Sequence, residues 1–149
     1  MKIYFSLFNN NGDRAHETKF RKYKNKSDFE EVVADYRITN AEKTVSGSAI
    51  KDRSKAGHSV IRLNFGVKRG DGRTVYYSGT LNIANNKKKD NAPDMFGSAT
   101  DRDGQEMDLS CWVKQDKNGN KFLSCNMQEP YKDGGAEPVP ETEDDDLPF

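Results

Sequence analysis

From Thr44 onward apolar residues recur at every second position, the period of a strand with one buried face. The pattern predicts strands at Thr44–Lys51, His58–Lys68, Thr74–Ile83, Asp94–Ala99, Glu106–Lys114 and Lys121–Gln128. Turn formers separate several of them: Lys55-Ala56-Gly57, Gly70-Asp71-Gly72, Asp101-Arg102-Asp103-Gly104 and Asp116-Lys117-Asn118-Gly119-Asn120. Ile3–Phe8 reads as an earlier strand, broken by the turn-forming run from Asn9 to Asp13. One stretch carries the helical period instead. Ser27 and Glu30 have capping-box spacing, and Phe29, Val32, Val33 and Tyr36 follow at i, i+3, i+4 and i+7. This predicts one amphipathic helix ending near Thr39. Successive hairpins with a single helix predict a mainly β chain, either a small antiparallel barrel or a strongly coiled sheet.

The same alternation sorts side chains between faces. Ile61, Leu63, Phe65 and Val67 point to the core, as do Val75, Tyr77, Leu81 and Ile83. So do Met107, Leu109, Cys111 and Val113, and Leu123, Cys125 and Met127. Four aromatic residues then fall on the polar faces: Tyr76, Phe96, Trp112 and Phe122, on the same strand faces as Arg62, Lys68 and Lys114. Rings on a basic, otherwise polar sheet suit single-stranded nucleic acid, because bases stack on the rings while cations follow the phosphates. Duplex DNA would call for a helix that enters a groove, and the one helix expected here is acidic. The plainer alternative is that a helix or loop covers this face and buries the rings as a second small core.

Charge divides the chain. Of its 149 residues 33% are hydrophobic, and the mean hydropathy is −1.00, low for a packed domain of this size. Residues 1–132 carry all 24 Lys and Arg and 17 of the 24 Asp and Glu, a net of +7. Residues 133–149 carry seven acids and no base, −7, together with Gly134-Gly135 and three prolines. Such a segment buries too little apolar surface to offset its ordering entropy. The expected organisation is a DNA-binding domain over 1–132 and a disordered acidic tail over 133–149. Within the basic part, Lys87-Lys88-Lys89 is expected in a loop as a phosphate contact. Lys19, Arg21, Lys22, Lys24 and Lys26 could do the same, or could hold the chain's own acidic tail when no DNA is bound.

Other chemistry is thinly represented. Met1–Phe8 contains only a six-residue, mostly apolar run, and nothing approaches the ~20 apolar residues of a membrane span. The expectation is a cytosolic protein without a membrane partner. Cys111 and Cys125 have no histidine near them, so they read as two buried thiols rather than a zinc site, and no cofactor is expected. With only His16 and His58, no catalytic triad, phosphate-binding Gly-Lys-Ser/Thr loop or His-Glu-x-x-His motif can be built. The chain reads as non-catalytic. Asp94, Asp101, Asp103, Glu106 and Asp108 leave one enzymatic alternative, a metal-dependent nuclease, if they converge on a metal ion.

The chain terminates in Glu143-Asp144-Asp145-Asp146-Leu147-Pro148-Phe149. This tip resembles that of bacterial and phage single-stranded-DNA-binding proteins, which end in three aspartates, an apolar residue, Pro and Phe. The resemblance covers about seven residues. It implies an OB-fold core, DNA binding without sequence preference, and a tail that recruits replication, recombination and repair proteins. Carried over by position, Asp144, Asp145, Asp146 and the terminal carboxylate would meet a basic rim on a partner. Leu147 and Phe149 would enter an apolar pocket, and Pro148 would limit the entropy lost on docking. The body departs from that family, since it has one tryptophan and an expected helix before its main strands. Asp90-Asn91-Ala92-Pro93-Asp94, and Trp112 followed by Gly119 through Pro130, also resemble a small family of mobile-element proteins, a likeness that carries no function. A second functional class therefore stays open: a mobile-element interaction protein whose tail occupies partner pockets while the body binds no DNA. The pattern leaves open whether the chain forms homo-oligomers.

Overall fold

The structure, a computed structural model, describes residues 2–25, 27–84 and 92–130. Among these residues ten strands follow one another: β1 (Lys2–Asn9), β2 (Lys19–Tyr23), β3 (Phe29–Val33), β4 (Tyr36–Thr39), β5 (Val45–Arg53), β6 (Ser59–Lys68), β7 (Thr74–Ile83), β8 (Met95–Asp101), β9 (Glu106–Gln115) and β10 (Lys121–Gln128). Eight of them close a barrel in the order β1-β10-β9-β8-β7-β6-β5-β4. Every pairing is antiparallel. From β4 to β10 each strand pairs with the next in sequence, and β1 closes the ring by pairing with both β10 and β4. The barrel is thus up-and-down, with the β2–β3 hairpin inserted between its first two strands.

The alternation is obeyed along the barrel wall. Ile61, Leu63, Phe65, Val67, Leu81, Met107, Leu109, Leu123 and Met127 are buried in the interior with Phe5, Leu7, Tyr36 and Ile38. Val75 and Val113 pack against this core from partly buried positions. Two glycines permit the tight coiling of the wall. A Cβ on Gly97 would collide with the Thr80 carbonyl oxygen, and one on Gly47 with that of Asn64. The expected strands from residue 44 onward are all present, with ends displaced by no more than two residues.

The expected helix over residues 27–39 does not form. Its residues make β3 and β4 instead, and the only helical turn among the described residues is a 3-10 turn at Ala15–Glu17. The segment carries two periods at once. Phe29, Val32, Val33 and Tyr36 satisfy helical spacing, but Val32, Ala34, Tyr36 and Ile38 also alternate strictly. In the structure these are the shielded positions, while Val33, Asp35 and Arg37 face water. β-branched and aromatic residues favour the pleated solution, which also lets β4 seal the barrel against β1. Ser27 does not cap a helix either. Its N–H and that of Asp28 both donate to Asn25 Oδ1 at 3.0 Å, which makes the segment a side-chain-supported turn.

The β2–β3 hairpin lies against the outside of the barrel. Phe20, Ala34 and Ile50 form a second small core there with Val32. The Ser48 hydroxyl donates to the Lys19 carbonyl at 2.8 Å and the Asn64 amide to the Arg21 carbonyl at 3.3 Å, which satisfies the edge of β2.

Candidate nucleic-acid interface

Strand register places the outward aromatics in two groups. β1, β10, β9 and β8 are neighbours in that order and carry Tyr4, Phe122, Trp112 and Phe96 on the outside of the barrel. Tyr4 pairs across with Asn126, Asn126 with Ser110, and Ser110 with Phe96. Trp112 pairs with Ser124 and Phe122 with Lys114. Trp112 is therefore a diagonal neighbour of both Phe96 and Phe122, within reach of large side chains. Phe96, Trp112 and Phe122 are half-buried, whereas Tyr4 is 61% exposed. Tyr4, Trp112, Lys114, Ser124, Cys125 and Asn126 line a shallow depression of about 300 Å³ in this wall.

Two features hold this group in place. Asp94 donates its backbone N–H to the Cys111 carbonyl at 2.8 Å, and its Oδ2 accepts the Val113 N–H at 2.8 Å. The carboxylate thereby extends β9 beyond its last pairing with β8, and Trp112 lies between the two anchored residues. Phe122 stacks on Phe8 with centroids 5.2 Å apart and planes inclined at 25°. Beneath the wall, Cys111 and Cys125 face each other across β9 and β10 as free, buried thiols. Burial, with the neighbouring Cys111 thiol, pushes the Cys125 pKa up, so this pair is poorly suited to reactive chemistry.

Tyr76 belongs elsewhere. It lies on β7 opposite Gly66, 52% exposed, and the Arg102 guanidinium sits 4.9 Å above its ring. Lys68, which pairs with Thr74, is its diagonal neighbour. Tyr76, Lys68 and Arg102 thus form a second, smaller aromatic and cationic patch on β6–β7 and the β8–β9 turn. Arg62 joins neither group. Its Nε donates to Asp52 Oδ2 at 2.7 Å on the wall beside the hairpin. Burial works against the Asp52 charge, but hydrogen bonds from the Arg53 N–H and from Arg62, with the Lys22 and Arg62 charges, outweigh it. The carboxyl is held below its usual value.

Among the described residues, Lys114 is the one expected cation that stands beside Trp112. Lys87, Lys88 and Lys89, and the tail residues Asp144, Asp145, Asp146, Leu147, Pro148 and Phe149, lie outside the described residues, as does Lys26. Tyr4 and Phe8 were not among the residues expected at the site. Alternation in Ile3–Phe8 already separates them from Ile3, Phe5 and Leu7, and that was the available signal.

The acids between Asp94 and Asp108 are committed to other contacts or kept apart. Asp101 Oδ1 accepts the N–H groups of Asp103 and Gln105, both at 2.9 Å, and so closes the β8–β9 turn. Asp94 holds β9 as described. Among the described residues no group of three or more His, Cys, Asp or Glu side chains is placed to hold a metal ion. No described helix is long and apolar enough to cross a membrane. No protein-family model matches the chain, and neither a curated protein nor a solved structure is significantly similar to it.

Proposed function

We propose that this chain is a non-catalytic single-stranded-DNA-binding protein. Its barrel wall stacks bases and contacts phosphates, and its acidic C-terminal tip recruits replication, recombination and repair proteins. The observation that carries the reading is the grouping of Trp112, Phe96 and Phe122 with Tyr4 on four adjacent strands, beside Lys114 and outside the barrel. A net charge of +7 over residues 1–132 supports it, since polyanion binding needs a cationic body. The likeness to an OB-fold is limited to a small antiparallel barrel that would use its outer surface. An OB-fold has five strands in Greek-key order, whereas eight strands here run up and down. The tail contributes through Asp144–Asp146, Leu147, Pro148 and Phe149, on the resemblance of that tip alone.

A second reading, an interaction protein that binds no DNA, draws on the hairpin. Tyr23, Phe29 and Val33 are exposed on its outer face, with Arg21 stacked 4.7 Å above the Phe29 ring. Three large apolar side chains on a two-stranded ribbon would suit a protein partner. The test is a binding assay with a labelled single strand and the matching duplex at low and moderate salt, for wild type and Trp112→Ala. The proposal expects preference for the single strand, weakening with salt, and a loss of roughly 1–3 kcal/mol in the variant. Equal affinity for both DNA forms, or none for either, would leave the interaction protein as the better account.

A further inference from the structure

The depression between Tyr4 and Trp112 has a polar floor with an unusual occupant. Asn126 stands directly opposite Tyr4 on one side, and its strand neighbour Ser124 stands opposite Trp112 on the other. The Asn126 Oδ1 is shielded from solvent and has no hydrogen-bond partner among the described residues. An acceptor removed from water without a donor costs free energy, and folded proteins retain few of them. The outer position of β10 does not require an amide, since Ser124 occupies the equivalent place two residues earlier with a shorter side chain. The orphaned acceptor is thus a cost that packing does not explain, located in the floor between two aromatic rings.

We infer that Tyr4, Trp112 and Asn126 form a seat for one nucleobase, in which the rings hold the base and the amide reads its hydrogen-bonding edge. This deepens, and rests on, the reading of the wall as a single-strand-binding surface. A carboxamide offers an acceptor beside a donor, and each base presents a complementary pair on its Watson–Crick edge. For thymine, N3–H donates to Oδ1 while Nδ2 donates to the neighbouring carbonyl. Since every base carries an edge N–H beside an acceptor, the seat demands a hydrogen-bonding edge without choosing a sequence. Oδ1 is covered in the structure, so the base must displace part of the cover. Among the described residues Tyr4 is the most exposed of the large apolar side chains, and so the ring least held by packing. Lys114, at the rim of the same depression, is placed to meet the adjoining phosphate.

The test compares two probes for the full chain: oligo(dT), and the same oligonucleotide made with N3-methylthymine. Methylation removes the edge donor but leaves the stacking face and the phosphates. Wild type is expected to bind the methylated strand about tenfold more weakly, the loss that follows from leaving one buried acceptor unpaired. Asn126→Ala should bind oligo(dT) more weakly and lose the distinction between the strands. Asn126→Val, which likewise carries no side-chain acceptor, gives the same comparison should the alanine variant not fold. If wild type binds both strands equally well, or if the variants keep the distinction, the seat is refuted while the single-strand reading stands. If wild type binds neither strand, both fall together.

Discussion

Asp94 holds the backbone on both sides of Trp112: its N–H reaches the Cys111 carbonyl and its carboxylate receives the Val113 N–H, each at 2.8 Å. A residue on the β7–β8 connection therefore holds the β9 backbone on either side of the ring. Asp94→Ala leaves the Val113 N–H without its acceptor, at a cost of about 1–3 kcal/mol. Hydrogen exchange at Val113 should accelerate and single-strand affinity should fall several-fold although Trp112 is retained. Unchanged exchange and affinity would mean that the wall is positioned by strand pairing alone.

Phe122 and Trp112 should respond differently to truncation. Phe122 is half-buried and stacked on Phe8, so part of its surface serves the barrel. Phe122→Ala is expected to lower stability by about 1–2 kcal/mol, the share of a full Phe truncation that half-burial implies. Trp112→Ala should lose more DNA affinity than Phe122→Ala, because Phe122 gives part of its surface to Phe8. Thermal melts and binding isotherms of the two variants check this, and an affinity loss in Phe122→Ala as large as that in Trp112→Ala would reverse the two roles.

Acid should weaken the β5–β6 wall beside the hairpin through Asp52. Its pKa is lowered in the fold, so its charged form contributes stability above the unfolded value of about 4. That contribution disappears as pH falls through the lower folded value. Wild-type Tm should therefore drop more steeply below about pH 4 than that of Asp52→Asn, with the two curves converging at the acid end. Parallel curves would mean that the Arg62–Asp52 pair adds nothing, the usual result for an ion pair open to water.

For the tail, the proposed recruitment places the apolar anchor in Leu147 and Phe149, so Phe149→Ala should cost a partner about 2 kcal/mol or more. Pull-downs with replication and repair proteins should lose their captured partners, while DNA affinity stays unchanged. Truncation before Asp133 should raise DNA affinity, most at low salt, since a −7 segment competes electrostatically for a +7 body. Equal capture by wild type and Phe149→Ala would reduce the tip to a solubilising segment.

The inward and outward positions of β6 to β10 were legible because each strand buries one face, which makes period two visible in the residues themselves. Residues 29–36 were not, because their apolar positions satisfy both periods. The deciding event is distant: β4 forms to seal the ring against β1. Barrel closure, and the pairing of the first and last strands of the described chain, leave no local mark in the pattern. Register had the same limit. Alternation put Tyr76, Arg62 and Trp112 on outward faces correctly, but only strand pairing reveals that they lie apart. It also brings Tyr4, from the first strand, to the edge of the depression that Trp112 lines.

Trp112 is the only tryptophan in the chain, so its fluorescence reports on the candidate wall alone. Titration with poly(dT) at two salt concentrations is the most direct measurement. A base stacking on the ring should quench the emission saturably, with an affinity that falls as salt rises and with little response to duplex of the same length. Emission that stays constant while the chain binds poly(dT) by another readout would place the DNA elsewhere on the barrel. Constant emission without any binding would contradict the single-strand-binding account as a whole.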